Sequence, residues 1–146
     1  MTYAEAIKSI PCGRYRHFKG NEYEVIGIAR HSETTAPMVV YRAPYGDGGL
    51  WTRPADMWNE TVERGGKTYR RFYRMDLIER VEKYECLYDE VTAHPDEEKL
   101  SQLDAYYTSG AWQEDYEADE RGDLPPDLKR GVLAQDALYD LLMGAK

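Results

Sequence analysis

Imidazole, guanidinium and indole groups are concentrated in the first half of the chain, on short segments separated by turns. The residues that combine these chemistries are His17, His31, Arg42, Trp51 and Arg53. Arginine forks beside aromatic rings recognise anionic, planar ligands such as nucleotides or carboxylates, and imidazole adds a donor whose charge changes near neutral pH. These residues are therefore predicted to bind a small anionic ligand or a peptide. The alternative is that the rings belong to the core, with the arginines at its edge.

The same histidines allow two further interpretations. His17 or His31 could be the general base of a hydrolase acting on a nucleotide-like substrate, which requires a carboxylate or a metal in the same cleft. Together with Glu33 they could ligate a metal, but residues from separate strands have no diagnostic spacing. No nucleophile elbow or P-loop motif is present. We therefore predict a non-catalytic binding module without metal or cofactor, and keep the hydrolase as the alternative.

A second candidate surface lies in the acidic segment EDYEADERGD at 114–123. The residues chosen for partner contact are Trp112, Glu114, Asp115 and Glu117. Carboxylates beside aromatic rings suit a basic protein partner, a second copy of the chain, or mimicry of nucleic acid by an acidic regulator. The plain alternative is a solvated helix face. An EF-hand is excluded, because Glu120 and Pro126 stand where the calcium loop needs glycine and glutamate.

The elements that must position these residues change in type near Asp76. Residues 1–78 hold 12 Lys and Arg against 9 Asp and Glu, a net charge of +3, whereas residues 79–146 hold 7 against 18, a net of −11. This contrast predicts two modules with different surfaces. The overall net charge of −8 argues against nonspecific binding of nucleic acid.

Before this boundary, short β-type runs separated by turns predict a small barrel or roll. RYRHFK and YEVIGIAR form a predicted hairpin around the turn at 20–21, and MVVYRA and LWTR are further strands. Pro54 is predicted to open the single helical turn PADMW from its first position. A last hairpin turns at 65–66, and residues 2–9 predict a short N-terminal helix.

After residue 75 the apolar residues recur with helical spacing. The pattern predicts helices that end near residues 94, 110 and 122, and a last helical element that starts at the proline pair 125–126. Asp76 is predicted to cap the first of these helices. Gly131 costs about 1 kcal/mol relative to alanine inside a helix. It is therefore predicted to mark a helix break or the close approach of another backbone.

Specific motifs relate both halves to known families. YRHFKG, ARHSET and WTRP resemble the family catalogued as domain of unknown function 1653, over residues 13–74. YYTSGAW, DLPPDLKRGVL and DALYDLL resemble domain of unknown function 4298, over residues 78–143. The first resemblance implies an SH3-like barrel, and neither implies catalytic residues. We predict an α+β protein with a small SH3-like β-barrel domain at 1–75 and an acidic α-helical domain at 76–146.

The chain shows no secretory signal and no long apolar run. Cys12 and Cys86 are far apart and have neither metal nor redox spacing. These features predict a cytoplasmic protein with two reduced thiols and no membrane partner.

Overall fold

The computed structural model describes residues 1–144 and divides the chain into two compact units. The first unit is Met1–Met75, and the second begins at Asp76. An antiparallel sheet fills the first unit and helices fill the second, so the α+β class is confirmed. Within residues 1–144, no helix combines the length and the apolar character needed to cross a bilayer.

The first unit begins with a short helix that is followed by seven strands and one helical turn. Its elements are α1 (Tyr3–Ser9), β1 (Gly13–His17), β2 (Glu22–Arg30), β3 (Pro37–Arg42), β4 (Leu50–Pro54), α2 (Ala55–Trp58), β5 (Thr61–Arg64), β6 (Lys67–Arg70) and β7 (Phe72–Arg74). Both predicted hairpins are present, and the run KTYRRF is divided between β6 and β7. Pro54 ends β4 and caps α2, so it lies one position before the helical start that was predicted for it.

Five of these strands form one antiparallel sheet in the order β4-β3-β2-β1-β7, while β5 and β6 pair with each other. In the part of the chain that the structure describes, β4 and β7 are both edge strands. The predicted barrel is therefore an open roll, because the segment after β4 forms its own hairpin. That hairpin turns at Gly65 and Gly66, whose φ values of 60° and 78° are those that a tight two-residue turn requires.

The core of the first unit lies on one face of the sheet. Trp58 from α2 is buried and its ring stacks on that of Phe72, with centroids 3.7 Å apart and planes 7° apart. Val25 and Val39 from the central strands are buried beside them. Alternating side chains along each strand explain this arrangement, because every second residue points toward α2.

As far as residue 144, the second unit contains four helices and one short 3-10 helix. These are α3 (Met75–Ala93), α4 (Glu97–Thr108), α5 (Ala111–Glu120), a 3-10 helix (Gly131–Leu133) and α6 (Gln135–Gly144). The first three helices end where the pattern predicts. Asp76 lies inside the first turn of α3 instead of capping it, because the helix already begins at Met75.

The last helix was predicted to start at the proline pair, but α6 starts at Gln135. Tertiary hydrogen bonds explain the difference. Val132 donates its N–H to the carboxylate of Glu85 at 2.7 Å and accepts from the indole of Trp112 at 2.9 Å. Backbone groups that a longer helix would use are thereby bonded to side chains of α3 and α5. A Cβ on Gly131 would lie 3.1 Å from Glu85 Oε1, so the close neighbour is a side chain and not a backbone.

Candidate functional site

The sheet register places three of the predicted ligand-binding residues on one face. Trp51 of β4 lies opposite Tyr41 of β3, and Arg53 follows two residues later on the same side. His17 of β1 lies opposite Phe72 of β7. Directly paired residues point to the same side of a sheet. Trp51, Arg53 and His17 therefore share the side that carries the core rings, which we call the aromatic face.

Phe72 is the centre of the aromatic face. Its ring lies edge-on to His17 at 5.1 Å and to Tyr23 at 5.9 Å between centroids. The guanidinium carbon of Arg53 lies 5.8 Å from the same ring centroid. Because Arg53 belongs to β4 and Phe72 to β7, the sheet curls until side chains of its two edge strands meet. The result is an apolar floor with a cation above it.

Positive charge is concentrated around His17. The pKa of His17 lies below its ordinary value, first because partial burial disfavours the charged ring and then because Arg71, Lys19 and Arg53 repel a further proton. Arg71 bonds Glu60 at 3.2 Å, yet its buried Nε–H has no acceptor among residues 1–144. We call His17, Lys19, Arg53 and Arg71 the cationic cluster. An anion would offset its charge and offer acceptors to its donors.

Backbone amides orient both imidazoles. The N–H of Lys19 donates to Nδ1 of His17 at 3.1 Å. In the turn after β2, Nδ1 of His31 accepts from the N–H groups of Glu33 and Thr34 at 3.1 and 3.2 Å. A neutral ring that accepts at Nδ1 carries its proton on Nε2, where no lone pair is left to take a proton from a substrate. Both histidines are therefore arranged as donors and not as the general base of a hydrolase.

Arg42 and His31 lie away from the cationic cluster, since His31 follows the last residue of β2 whereas Lys19 precedes its first. Arg42 follows Tyr41 and so points to the opposite face of the sheet, where its Nη2 is 3.0 Å from the carboxylate of Glu24. This pair lines an open depression of about 280 Å³ beside the glycine-containing loop 45–49. Within the loop, Asp47 accepts the N–H of Gly49 at 2.8 Å. The loop closes on its own side chain, as in an ordinary turn.

Two of the four residues predicted to contact a partner lie inside the helical unit. Asp115 has no exposed surface and receives Nε and Nη2 of Arg80 at 2.9 and 2.6 Å. The hydroxyl of Tyr106 donates to it at 2.6 Å. Trp112 is 3% exposed and donates its indole N–H to the carbonyl of Val132. The structure therefore removes both from the predicted docking surface, because burial leaves neither group accessible.

Glu114 and Glu117 are the predicted partner residues that stay on the surface. The Glu114 side chain is 71% exposed, and its carboxylate lies 3.1 Å from Nη2 of Arg80. Glu117 is exposed and accepts from the amide of Gln113 at 3.1 Å. The acidic surface of α5 is thus narrower than the sequence predicted. Within residues 1–144, no group of three or more His, Cys, Asp or Glu side chains has an arrangement that could hold a metal ion.

Comparison with known proteins supports the relation that the motifs indicated. Residues 13–74 match the family model described as protein of unknown function (DUF1653). A crystal structure of a DUF1653 protein from Bordetella bronchiseptica is 40% identical, over 45% of this chain and 87% of that chain, with a TM-score of 0.42. The protein belongs to the DUF1653 family. Residues 75–146 match the domain of unknown function DUF4298, so both resemblances are confirmed. No functionally curated protein matches the sequence.

Several residues that define these sites were not predicted. In the DUF1653 unit, Lys19 and Arg71 were missed because they lie beside turns, outside the strands that carry the motif residues. In the DUF4298 unit, Arg80 and Tyr106 were missed because their partner Asp115 is distant in sequence. The scarcity of cations in residues 79–146, with 7 against 18 acids, is a signal that could have identified Arg80.

Proposed function

We propose that the protein is a non-catalytic binding protein whose DUF1653 unit takes up an anionic ligand on the aromatic face. The observation that carries this proposal is the cationic cluster beside Phe72, where the guanidinium carbon of Arg53 lies 5.8 Å from the ring centroid and Lys19, Arg53 and Arg71 all act on His17. Guanidinium groups bind carboxylates and phosphates through paired hydrogen bonds. A ligand that combines such an anion with a planar or apolar group would use both the charge and the rings.

An exposed ring on the aromatic face supports the same ligand chemistry. Trp51 is 62% exposed and lies on the same side of β4 as Arg53, two residues before it. Aromatic side chains at a partly solvated surface contribute to binding by stacking and by contact with cations. The anion is proposed to contact Arg53 and His17, and its planar part the neighbouring rings.

The hydrolase alternative has weaker support from the geometry. It needs an imidazole with a free lone pair beside a carboxylate. Backbone amides occupy Nδ1 of both His17 and His31. The groups surrounding His17 are cations, which would hinder its acting as a base.

The DUF4298 unit is proposed to contact a basic protein partner through the exposed carboxylates of α5. Glu114 and Glu117 now carry this proposal alone. Reversing both charges with Glu114→Lys and Glu117→Lys should abolish capture of that partner in a pull-down. Capture by the doubly reversed chain would contradict the proposal.

A cytoplasmic location is also proposed for the protein. Cys12 and Cys86 are free, exposed thiols, which suit a reducing compartment.

A ligand screen with a matched pair of variants tests the anion site. The full chain is melted in the presence of nucleotides, sugar phosphates, organic acids and benzenesulfonate, and any compound that raises the Tm is measured by calorimetry. Arg53→Gln removes a charge of the cationic cluster and should weaken binding about tenfold, the loss of one charge-assisted hydrogen bond. Arg42→Gln is the same substitution on the opposite face and should leave the affinity unchanged.

Two results would overturn the proposal. One is a panel in which no anion raises the Tm of the wild-type chain. The other is an equal loss of affinity in Arg42→Gln and Arg53→Gln, since a nonspecific charge effect would not distinguish the two faces.

A further inference from the structure

Strand β4 is an edge of the five-stranded sheet and is unusually apolar for such a position. In the described residues it pairs with β3 on one side and with no strand on the other. Leu50 and Trp51 are both 62% exposed. An edge strand that exposes apolar side chains and unpaired backbone groups is a template for another strand.

The hydrogen-bond pattern identifies which backbone groups of β4 point outward. His31 N–H donates to the carbonyl of Ala36 at 2.8 Å, which makes these two residues a hydrogen-bonded pair of the β2–β3 ladder. Pairs alternate along antiparallel strands. In β3, Val39 and Tyr41 therefore direct their backbone groups toward β4, where they meet Arg53 and Trp51.

It follows that the backbone groups of Leu50, Thr52 and Pro54 face away from the sheet. Leu50 and Thr52 each present an N–H and a carbonyl, whereas Pro54 presents only a carbonyl. As the N-cap of α2, Pro54 uses one lone pair of that carbonyl for the helix and keeps the other. A proline in a strand is accommodated where its missing N–H would have faced solvent. The position of Pro54 thus agrees with the alternation.

We propose that this edge pairs antiparallel with the β4 edge of a second copy of the chain, about a two-fold axis at Thr52. In that register the two Thr52 residues exchange both of their outward hydrogen bonds. The N–H of Leu50 meets the remaining lone pair of the Pro54 carbonyl of the other copy. Every outward N–H of the strand then has an acceptor, and the missing N–H of Pro54 falls at the end of the pairing.

The side chains are complementary in the same register. Trp51 of one copy lies directly opposite Arg53 of the other, on the aromatic face of both. This arrangement allows a cation–π contact and keeps the two Arg53 charges from facing each other. On the opposite face, the exposed side chain of Leu50 covers Pro54. A shift by one residue would direct Trp51 and Arg53 to opposite sides of the joined sheet.

The pairing goes beyond the proposed function and does not require a ligand. It also brings Trp51 of the second copy next to Arg53, so that each copy adds a ring to the other's cationic cluster. A five-residue strand buries little surface, and interfaces smaller than about 1,200 Å² are generally weak. The expected dimer therefore forms with a dissociation constant between about 1 μM and 1 mM.

Sedimentation equilibrium of the full chain in reductant tests the pairing. Reductant prevents cross-linking through the exposed Cys12 and Cys86. The average mass should rise with concentration from 16.9 kDa toward twice that value. A mass that stays at 16.9 kDa up to about 1 mM would overturn the proposal.

Two matched pairs of variants test the register. Trp51→Lys places like charges opposite each other and should weaken the dimer about tenfold, whereas Trp51→Glu faces Arg53 of the other copy and should not weaken it. Thr52→Pro removes the central outward N–H and should give a monomer, while Thr52→Val keeps that N–H and should give the wild-type dimer. Equal weakening by the two Trp51 variants, or a dimer in Thr52→Pro, would contradict the register.

Amide exchange read by NMR gives a residue-specific check that also controls for folding. The amides of Trp51 and Arg53 bond β3 and should be protected at every concentration, in Thr52→Pro as in the wild type. Those of Leu50 and Thr52 should become protected only as the protein dimerises. Exchange at these two amides that does not change with concentration would show that the copies associate elsewhere, and would overturn the pairing.

Discussion

The two units treat their charged residues in opposite ways. In the helical unit, the buried carboxylate of Asp115 is fully engaged by Arg80 and Tyr106. In the sheet unit, Arg71, Lys19 and Arg53 disfavour a positive charge on His17, and among residues 1–144 the buried Nε–H of Arg71 has no acceptor. Charge stabilises the fold in the helical unit, whereas in the sheet unit it is proposed to bind a ligand.

This comparison shows why the net charge of a segment does not identify a binding surface. Residues 79–146 carry a net charge of −11, yet the most central acid there is inaccessible. Removing a carboxylate from water costs several kcal/mol unless a partner and hydrogen bonds replace the water. Groups paired in this way have little capacity left for another molecule.

Removing the cation that pairs with Asp115 should lower the free energy of unfolding more than any other change proposed for this chain. Arg80→Met should destabilise the helical unit by about 3–5 kcal/mol, because a buried carboxylate is left uncompensated. Urea unfolding followed by far-UV circular dichroism measures the change. Glu114→Gln removes only the exposed contact of Arg80 and should change the free energy of unfolding by less than about 1 kcal/mol.

A double variant sharpens this prediction. Arg80→Met combined with Asp115→Leu removes both charges, so it should be more stable than Arg80→Met alone. If Arg80→Met and Glu114→Gln cost the same, the pair between Arg80 and Asp115 would not hold the helical unit together. Paired buried charge would then not be what stabilises the helical unit, and the two units would not differ in this respect.

The next effect concerns the second buried acid of the helical unit. Glu85→Ala leaves the N–H of Val132 without its acceptor, a loss of about 1–3 kcal/mol. Gly131→Ala pushes a Cβ against the same carboxylate and should cost about 1 kcal/mol or more. Urea unfolding again provides the measurement.

The matched control for Gly131→Ala is Gly144→Ala, where, apart from the helix's own backbone and the adjacent residues, no atom of residues 1–144 lies within 4 Å of the added Cβ. This control should unfold at nearly the wild-type urea concentration. Equal effects at the two glycines would mean that Glu85 moves aside freely, and that it does not fix the 3-10 helix.

The sequence predicted the elements better than the site because local patterns determine them. Alternating side chains and paired glycines identified the strands and hairpins, and helical spacing identified the first three helices. The position of α6 could not be predicted, since Val132 is bonded by Glu85, which is 47 residues away. Gly131 correctly indicated a break before α6, but its close neighbour is the side chain of Glu85 and not the backbone that was the other prediction.

Only the part of the candidate site that depends on local patterns could be predicted from the sequence. Strand alternation separates Arg42 from Trp51 and Arg53, and that separation follows from the sequence once the strands are known. The approach of Arg53 to Phe72 depends on how far the sheet curls, which no local pattern encodes. The participation of Arg71 depends on the chain's return from the β5–β6 hairpin to β1, where Phe18 N–H meets the Arg71 carbonyl at 3.0 Å.

His17 should make the stability of the sheet unit depend weakly on pH. Without ligand, the pKa of His17 in the folded chain lies below 6.5, its value in the unfolded chain. The unfolded chain therefore binds more protons as the pH falls below 6.5, and the stability contributed by the neutral ring declines. A bound anion has the opposite effect, because it favours the protonated ring, in which a proton on Nδ1 replaces the hydrogen bond from the Lys19 N–H.

Binding of benzenesulfonate should therefore strengthen as the pH falls toward the pKa of His17, and the gain should stop once the free protein is itself protonated. Calorimetric titrations between pH 8 and pH 5 give the profile, since benzenesulfonate keeps its charge throughout this range. In His17→Gln the profile should be flat, while Arg53→Gln should lower the affinity and keep the slope. A slope that survives in His17→Gln would assign the proton to another group and would separate His17 from the cationic cluster. Affinity that depends on Arg53 but not on pH would leave the guanidinium groups as the anion site and make His17, like Asp115, a residue that serves only the fold.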